Sequence, residues 1–366
     1  MKKIITSESV NIGHPDKTCD IIADCFLDEA LSQDKFSQMA VECAIKSDKL
    51  FVYGEATTNA KIDYDNIAKK VLSYIGYNAD QFKIIKEISE QSPDINSAVV
   101  KDEFTANDQG IMFGYATNET EEYLPLSLVV ANKLMEQYEN FRLKTNNMFF
   151  ADAKSQVSVE YEGNKPININ TVLISVSHSN NVSVEQVRNQ ILNNVVNPIL
   201  MQYGTYVNSN IKLLINAGGK FTVWGSFADS GCVGRKIVVD SYGGVAKVGG
   251  GCFSSKNATK VDRSAAYYLR YVAKNLVYNN LCDRCELSIS YGFGLTEPIS
   301  FNIETFGTEK VDLDKIYEVV DKNFNFKPSS IIKELDLLKP IYKNTACYGH
   351  FGKDGFSWEK VKKLKV

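Results

Sequence analysis

The sequence predicts an α+β fold, and two observations carry that expectation. Segments that alternate apolar and polar residues with period two are interspersed with segments of helical period, and they follow a β-β-α order three times along the 366 residues. The composition, 44% hydrophobic and 23% charged, is that of an ordinary globular chain, and its length allows two or three modest domains.

The first unit opens with a short apolar stretch, Ile4-Ile5, and the pentapeptide Gly13-His14-Pro15-Asp16-Lys17. Pro15 suits the first position of a helix, and a helical pattern runs from there to about Leu31. Asp16, Asp20, Asp24 and Asp28 recur every four residues, opposite Ile21, Ile22, Cys25 and Phe26. Apart from Asp16 in the first turn, that acidic stripe is expected to be a solvated face. Met39–Lys46 and Leu50–Thr57 alternate as strands around the turn Ser47-Asp48-Lys49, and Ile62–Tyr77 reads as a helix. In the second unit the strands are Ser155–Glu162 and Ile167–His178, with a helix from about Val184 to Leu200. In the third they are Phe221–Gly225 and Lys236–Tyr242, with a helix from Arg263 to about Asn279 for which Asp262 is the expected N-cap. Strands at Glu286–Tyr291 and Ile299–Glu304 and a helix near Leu313–Asn323 complete the reading. Between the first two units Gln91–Gly110 breaks the rhythm and reads either as a functional loop or as a linker.

Several function classes are excluded or disfavoured. A net charge of -3 gives no reason to expect nucleic acid or an anionic membrane as partner. No apolar run of about 18 residues predicts a membrane span, and no apolar core for a signal peptide follows Met1-Lys2-Lys3, so a cytoplasmic location is expected. The eight cysteines read as reduced thiols; Cys282 and Cys285 form a lone C-x-x-C without a second pair. There is no P-loop, and the run from Gly292 fails the dinucleotide pattern at Glu297. His178 and His350 have no nucleophile that the sequence places beside them.

Three places concentrate chemistry. Gly13 to Lys17 delivers a histidine, a carboxylate and a lysine to a helix start, which is either an anion site or an ordinary helix N-terminus. Glu42 and Glu55 lie within apolar stretches of partner strands, where an acid needs a cation or a polar ligand unless it faces water. From Asp229 to Asp262, Arg235, Lys236, Lys256 and Lys260 are interleaved with Gly231, Gly234, Gly243-Gly244 and Gly249-Gly250-Gly251, a combination suited to a polyphosphate.

Together these residues resemble the S-adenosylmethionine synthetase family over nearly the whole chain. The resemblance rests on Thr6 to Val10, Gly13 to Lys17, Gln91 to Asn96, Asp108 to Glu119, Asp152 to Val157, Gly234 to Tyr267 and Thr345 to Gly352. It implies three pseudo-symmetric α+β domains, 1–94, 105–223 and 224–358, with 91–107 as a flexible active-site loop. It also implies a homodimer with active sites between subunits, often paired into a tetramer. The implied reaction joins ATP and L-methionine: sulfur attacks C5′, and the released tripolyphosphate is hydrolysed to diphosphate and phosphate. Two Mg²⁺ and one K⁺ per site are the implied ions.

By motif, His14 resembles the residue beside the reacting centre, Asp16 and Asp262 resemble Mg²⁺ ligands, and Glu42 resembles the K⁺ ligand. Glu55, Gln91, Asp108, Asp229 and Lys260 resemble methionine contacts. Asp152, Ala153, Lys154, Lys220, Phe221, Asp229, Arg235, Lys236, Cys252 and Lys256 resemble ATP and phosphate contacts, with His14, Lys154, Arg235, Lys256 and Lys260 as the catalytic set. The chain departs from the family pattern at Thr105-Ala106-Asn107 (usually Gly-Ala-Gly), Ser226-Phe227-Ala228, Val248, Cys252, Ser255 and Ser177, and has Lys220 where Arg is usual. None of these removes a principal charge.

Overall fold

The computed structural model describes residues 2–90 and 104–365. In chain order the elements are β1 (Lys2–Val10), α1 (Pro15–Gln33), β2 (Gln38–Lys46), β3 (Lys49–Thr57), α2 (Tyr64–Ile75), β4 (Lys83–Ser89) and β5 (Gly110–Thr117). Then come α3 (Leu126–Arg142), β6 (Phe149–Glu162), β7 (Lys165–His178), α4 (Val184–Ile191), a π-helical turn at Leu192–Val196, α5 (Asn197–Gln202) and β8 (Lys212–Ile215). The last third holds β9 (Gly231–Cys232), α6 (Val261–Tyr278), β10 (Arg284–Tyr291), β11 (Ser300–Glu304), α7 (Leu313–Asn323) and α8 (Pro328–Glu334).

The strands form three sheets, ordered β4-β3-β2-β9, β1-β6-β7-β8 and β11-β10-β5. Sequence neighbours do not simply share a sheet. β1 pairs antiparallel with β6 of the central sheet, and β5 pairs antiparallel with β10 of the last. One hydrophobic core runs continuously from α1, β2 and β3 to α6 and β10, while α3, β6, β7 and α4 enclose a second. Each sheet packs one face on helices and leaves the other open. On β2, Met39, Val41, Cys43 and Ile45 are buried, whereas Glu42 alternates onto the open face with Tyr53 and Phe51 of β3. Ile4, Phe51, Ile85 and Ile111 are large apolar side chains exposed on these open faces.

Two expected strands are absent. Lys236–Tyr242 instead contains a helical turn, in which Asp240 N donates to Lys236 O at 2.9 Å. Phe221–Gly225 leads into a short 3₁₀ turn at Gly225–Phe227. Its apolar pattern reflects packing rather than a ladder: the Trp224 ring stacks on Tyr77 at 4.6 Å and on Phe150 at 5.5 Å. Asp262 does not cap α6. Lys260 holds the N-cap position, and Asp262 lies in the first turn.

The acidic stripe of α1 is the largest departure from the sequence reading. Asp16, Asp20, Asp24 and Asp28 are all buried. Each carboxylate accepts backbone N–H groups from the last third of the chain. Asp16 takes Cys232 N at 3.0 Å, Asp20 takes Gly234 N at 2.9 Å, Asp24 takes Ser255 N at 3.0 Å, and Asp28 takes Tyr342 N at 2.8 Å and Lys343 N at 2.9 Å. Arg263 adds a fork of two bonds to Asp24, both 2.8 Å, and the pair is almost wholly buried. The four-residue period therefore marks a docking face, and the solvated face expected there does not exist. Burial pushes the carboxyl groups of Asp20 and Asp28 up, to about 7 and about 6, against the hydrogen bonds that favour their ionised forms.

Removing the Arg263 partner leaves Asp24 buried and uncompensated. Arg263→Met is expected to cost about 3–5 kcal/mol, read by thermal or urea unfolding, and Asp24→Leu/Arg263→Met to recover much of it. An unchanged melting temperature in the single variant would show that the pair carries no such weight.

Candidate active site

The pentapeptide is held open by contacts with β6. Asn11 N donates to Ala153 O at 2.9 Å and Gly13 N to Ala151 O at 3.1 Å, while Val10 lies opposite Lys154 in the sheet. Gly13 has no room for a side chain, since a Cβ there would lie 2.5 Å from the Ala151 carbonyl carbon. Gly231 is equally constrained, its Cβ position lying 2.2 Å from the Pro15 carbonyl carbon. These two close approaches press the start of α1 against β6 on one side and β9 on the other.

His14 is the N-cap of α1, and its Nδ1 accepts from Asp16 N at 3.2 Å. The ring proton is thereby assigned to Nε2. Burial, then the ammonium groups of Lys236 and Lys154, hold the imidazole far below its ordinary value, at about 3, against the pull of Asp16 and Asp229. Asp16 pairs with Lys236 Nζ at 2.6 Å and lies 3.5 Å from Arg235 Nε. Burial would raise its pKa, but Lys236 and Cys232 N hold it below the usual carboxylate value. Asp152 accepts from Gly225 N at 2.9 Å and is pushed up to about 6 by burial and by nearby Asp229. The structure thus brings together His14, Asp16, Asp152, Lys154, Asp229, Arg235 and Lys236. Lys17, placed by its sequence position beside this group, instead points away: it is fully buried between Asp20 and Asp240. It cannot hold a phosphate.

A second group surrounds the start of α6. Lys256 Nζ donates to Asp262 Oδ2 at 2.6 Å, and Gly251 N donates to Asp262 Oδ1 at 2.9 Å. Lys260 is depressed by burial and by Lys256, and is opposed by Glu55, Asp262 and Asp108. The loop bearing Lys256 is fixed from behind, for Arg263 Nη1 donates to the Lys256 carbonyl at 3.1 Å. Ser255, next to it, has φ +79, a left-handed conformation costly for a residue with a Cβ, and Asp24 holds its N–H. Arg263 was missed in the sequence; the signal was the periodic Asp24, which required a cation somewhere.

Strand β2 spans the two groups. Ala40 bridges to Lys256 and Ala44 pairs with Cys232, so they sit four residues apart, about 13 Å along a strand. Glu42 lies midway, with Tyr53 Oη donating to its Oε2 at 3.4 Å and Cys252 close enough to feel its charge. Lys220 and Phe221 lie on the segment leading to Gly225, where Phe221 N donates to His178 Nε2 at 3.2 Å. His178 is thus committed to backbone support. Gln91 lies outside the described residues.

Models of the S-adenosylmethionine synthetase N-terminal, central and C-terminal domains match residues 2–93, 103–221 and 223–360. The chain belongs to the S-adenosylmethionine synthetase family. It is 45% identical over 375 residues to the S-adenosylmethionine synthase of Mycoplasma capricolum, covering 100% of this chain and 96% of that protein. It is 44% identical over 386 residues to that of Oenococcus oeni, covering 100% of this chain and 99% of the relative. For the Clostridium tetani protein of the same name the identity is 42% over 387 residues, with 100% and 98% covered.

The metal chemistry of the family can be tested on these side chains. Among the described residues no three His, Cys, Asp or Glu groups converge as a self-sufficient metal site. Asp16 and Asp262 are single carboxylates set among lysine and arginine side chains. That suits Mg²⁺, which commonly takes one or two carboxylates and completes its shell with water and phosphate oxygens.

The depressed His14 should remain neutral across the physiological range. Its NMR resonances are expected to stay flat from pH 8 down to about 5. Since its folded value of about 3 lies below 6.5, its contribution to stability falls as pH drops through that window. Asp152, raised to about 6, contributes with the opposite sign, so the imidazole signals are the decisive readout. A His14 midpoint near 6.5 would contradict the burial and charge described.

Proposed function

We propose that this chain makes S-adenosylmethionine from ATP and L-methionine, methionine sulfur attacking C5′ and displacing tripolyphosphate, which is then hydrolysed to diphosphate and phosphate. The observation that carries this reading is the convergence of Lys154, Arg235 and Lys236 on a buried neutral His14 and Asp16, in a chain of this family. The sulfur is the nucleophile, so no activated Ser, Cys or Lys is needed. Catalysis then rests on positioning and on stabilising a departing polyanion. Cations do the second, and the His14 Nε2 proton is a donor for the leaving oxygen.

In this reading Asp152, Ala153, Lys154, Lys220, Phe221, Asp229, Cys252 and Lys256 hold ATP, while Glu55, Gln91, Asp108, Asp229 and Lys260 hold methionine. Asp16 and Asp262 would hold Mg²⁺, and Glu42 would hold K⁺; the ions neutralise phosphate charge. In the same reading the domains are 1–94, 105–223 and 224–358, and of the active-site loop expected at 91–107, residues 91–103 lie outside the described residues.

We further propose a homodimer with its sites between subunits, paired into a tetramer. Two features support it. The two charged groups are separated along β2, and exposed apolar residues stud the open sheet faces. No described helix is long and apolar enough to cross a membrane, and a cytoplasmic location is part of the same proposal.

Purified protein given ATP, methionine, Mg²⁺ and K⁺ should yield S-adenosylmethionine by mass spectrometry, and no methionine-dependent product would refute the assignment. Lys260→Met should lower turnover by a hundredfold or more, as loss of a transition-state charge contact costs about 3 kcal/mol. Phe51→Glu/Ile85→Glu, placed opposite one another on an open face, should shift the sedimentation coefficient to that of a monomer and abolish turnover. A fully active monomer would exclude a shared site.

A further inference from the structure

Helix α6 carries Lys260 and Asp262 in its first residues, yet it supplies no cap of its own. Lys260 occupies the N-cap position, and no side-chain cap bond is made from there. A lysine side chain cannot accept a hydrogen bond, so while Arg263 N and Ser264 N donate to the Lys260 carbonyl, Val261 N needs an acceptor from elsewhere. That acceptor is Asn107, whose Oδ1 lies 3.1 Å from Val261 N although the two residues are 154 positions apart.

The backbone around Asn107 is pinned as well. Ala106 N donates to Leu295 O at 2.9 Å, and Gly294 N donates to Ala106 O at 2.8 Å. Ala106 is fully buried. The two backbone bonds fix residue 106, the side-chain bond fixes residue 107, and Asp108 follows immediately. Asp108 is exposed, its Oδ1 accepts from Gln109 N at 2.7 Å, and it is one of three carboxylates near enough to Lys260 to act on its charge without an ion pair to it. The stretch Thr105-Ala106-Asn107 is also where the chain departs from the Gly-Ala-Gly of the family resemblance, and a glycine at 107 has no side-chain oxygen to offer.

We propose that Asn107 is a positioning residue: by capping α6 from a distant loop it fixes where the adjacent Asp108 lies relative to Lys260 at the start of that helix, and so fixes the methionine side of the site. This rests on the proposed function for the ligand, while the cap itself stands on the geometry alone. It predicts a selective effect. Loss of the cap loosens Asp108 relative to Lys260 but leaves His14, Lys154, Arg235 and Lys236 untouched at the other end of β2.

The test compares Asn107→Ala, Asn107→Gly and Asn107→Asp in the full chain. Asn107→Ala and Asn107→Gly are expected to raise KM for methionine about fivefold, the size of a typical lost cap, with KM for ATP unchanged. Asn107→Asp keeps an acceptor at the helix start and should return KM for methionine to within about twofold of the parent. Amide hydrogen exchange at Val261 should accelerate in the Ala and Gly variants and recover in the Asp variant. Unchanged exchange at Val261 would overturn the cap. Accelerated exchange with an unchanged methionine KM, or an equal rise in KM for both substrates, would overturn the positioning role. A parent protein that makes no S-adenosylmethionine would count against the proposed function, and Val261 exchange would still decide the cap.

Discussion

Four buried aspartates on one helix organise this molecule. A carboxylate removed from water must find hydrogen-bond donors or give up its charge. On α1 every such donor comes either from the loops and helix start of the last third of the chain or, for Asp20, in part from Lys17 on the same helix. The stripe therefore acts as a template. It dictates where residues 231–236, 254–263 and 342–343 lie against the N-terminal third, and those are the segments that carry Arg235, Lys236, Lys256 and Lys260. Apolar packing alone would leave such a contact free to slide, because hydrophobic attraction has little direction. Carboxylates meeting particular N–H groups fix the register.

The electrostatics on either side of β2 follow from that register. Near His14 three cations, Lys154, Arg235 and Lys236, stand against three carboxylates, Asp16, Asp152 and Asp229, and burial together with the two lysines holds the imidazole pKa low. Near α6 the same pressure acts on Lys260, an ammonium depressed by burial and by a second lysine. Both shifts record burial first and neighbouring ammonium groups second, and a polyanionic ligand would relieve the second. Two carboxylates, Asp16 and Asp262, are interposed, each spoken for by a lysine.

Much of this was readable in the residues, and what was not has physical causes. Strongly periodic elements such as β2, β3 and α7 stood out because one face is wet and the other dry, and α1 stood out because its polar face, although buried, keeps the same period. Helix α3 gave no such signal, since Leu126 to Ala131 are all buried and the amphipathic period vanishes. Strand β1 is mostly polar and exposed on its outer half, so no alternation marks it. The glycine-rich charges of the last third pointed to an anion site, but the same region was misread as strands because burial against aromatic rings mimics period two. The roles of Asp20, Asp24 and Lys17 depend on partners more than 200 residues away or on burial by distant segments. A solvated stripe and a buried template look the same when only one side of the contact is read.

The span of the aspartate contacts has a consequence for how the chain comes to be folded. Asp28 is made early, and its donors Tyr342 and Lys343 arrive 314 and 315 residues later. During synthesis the N-terminal helix waits with its carboxylates unanswered, exposed to water or to the wrong donors. Closure of so long a loop is slow and favours late, concerted assembly over segment-by-segment growth. The protein is thus committed to becoming native only when nearly all of it exists, and its first and last thirds mature as one unit.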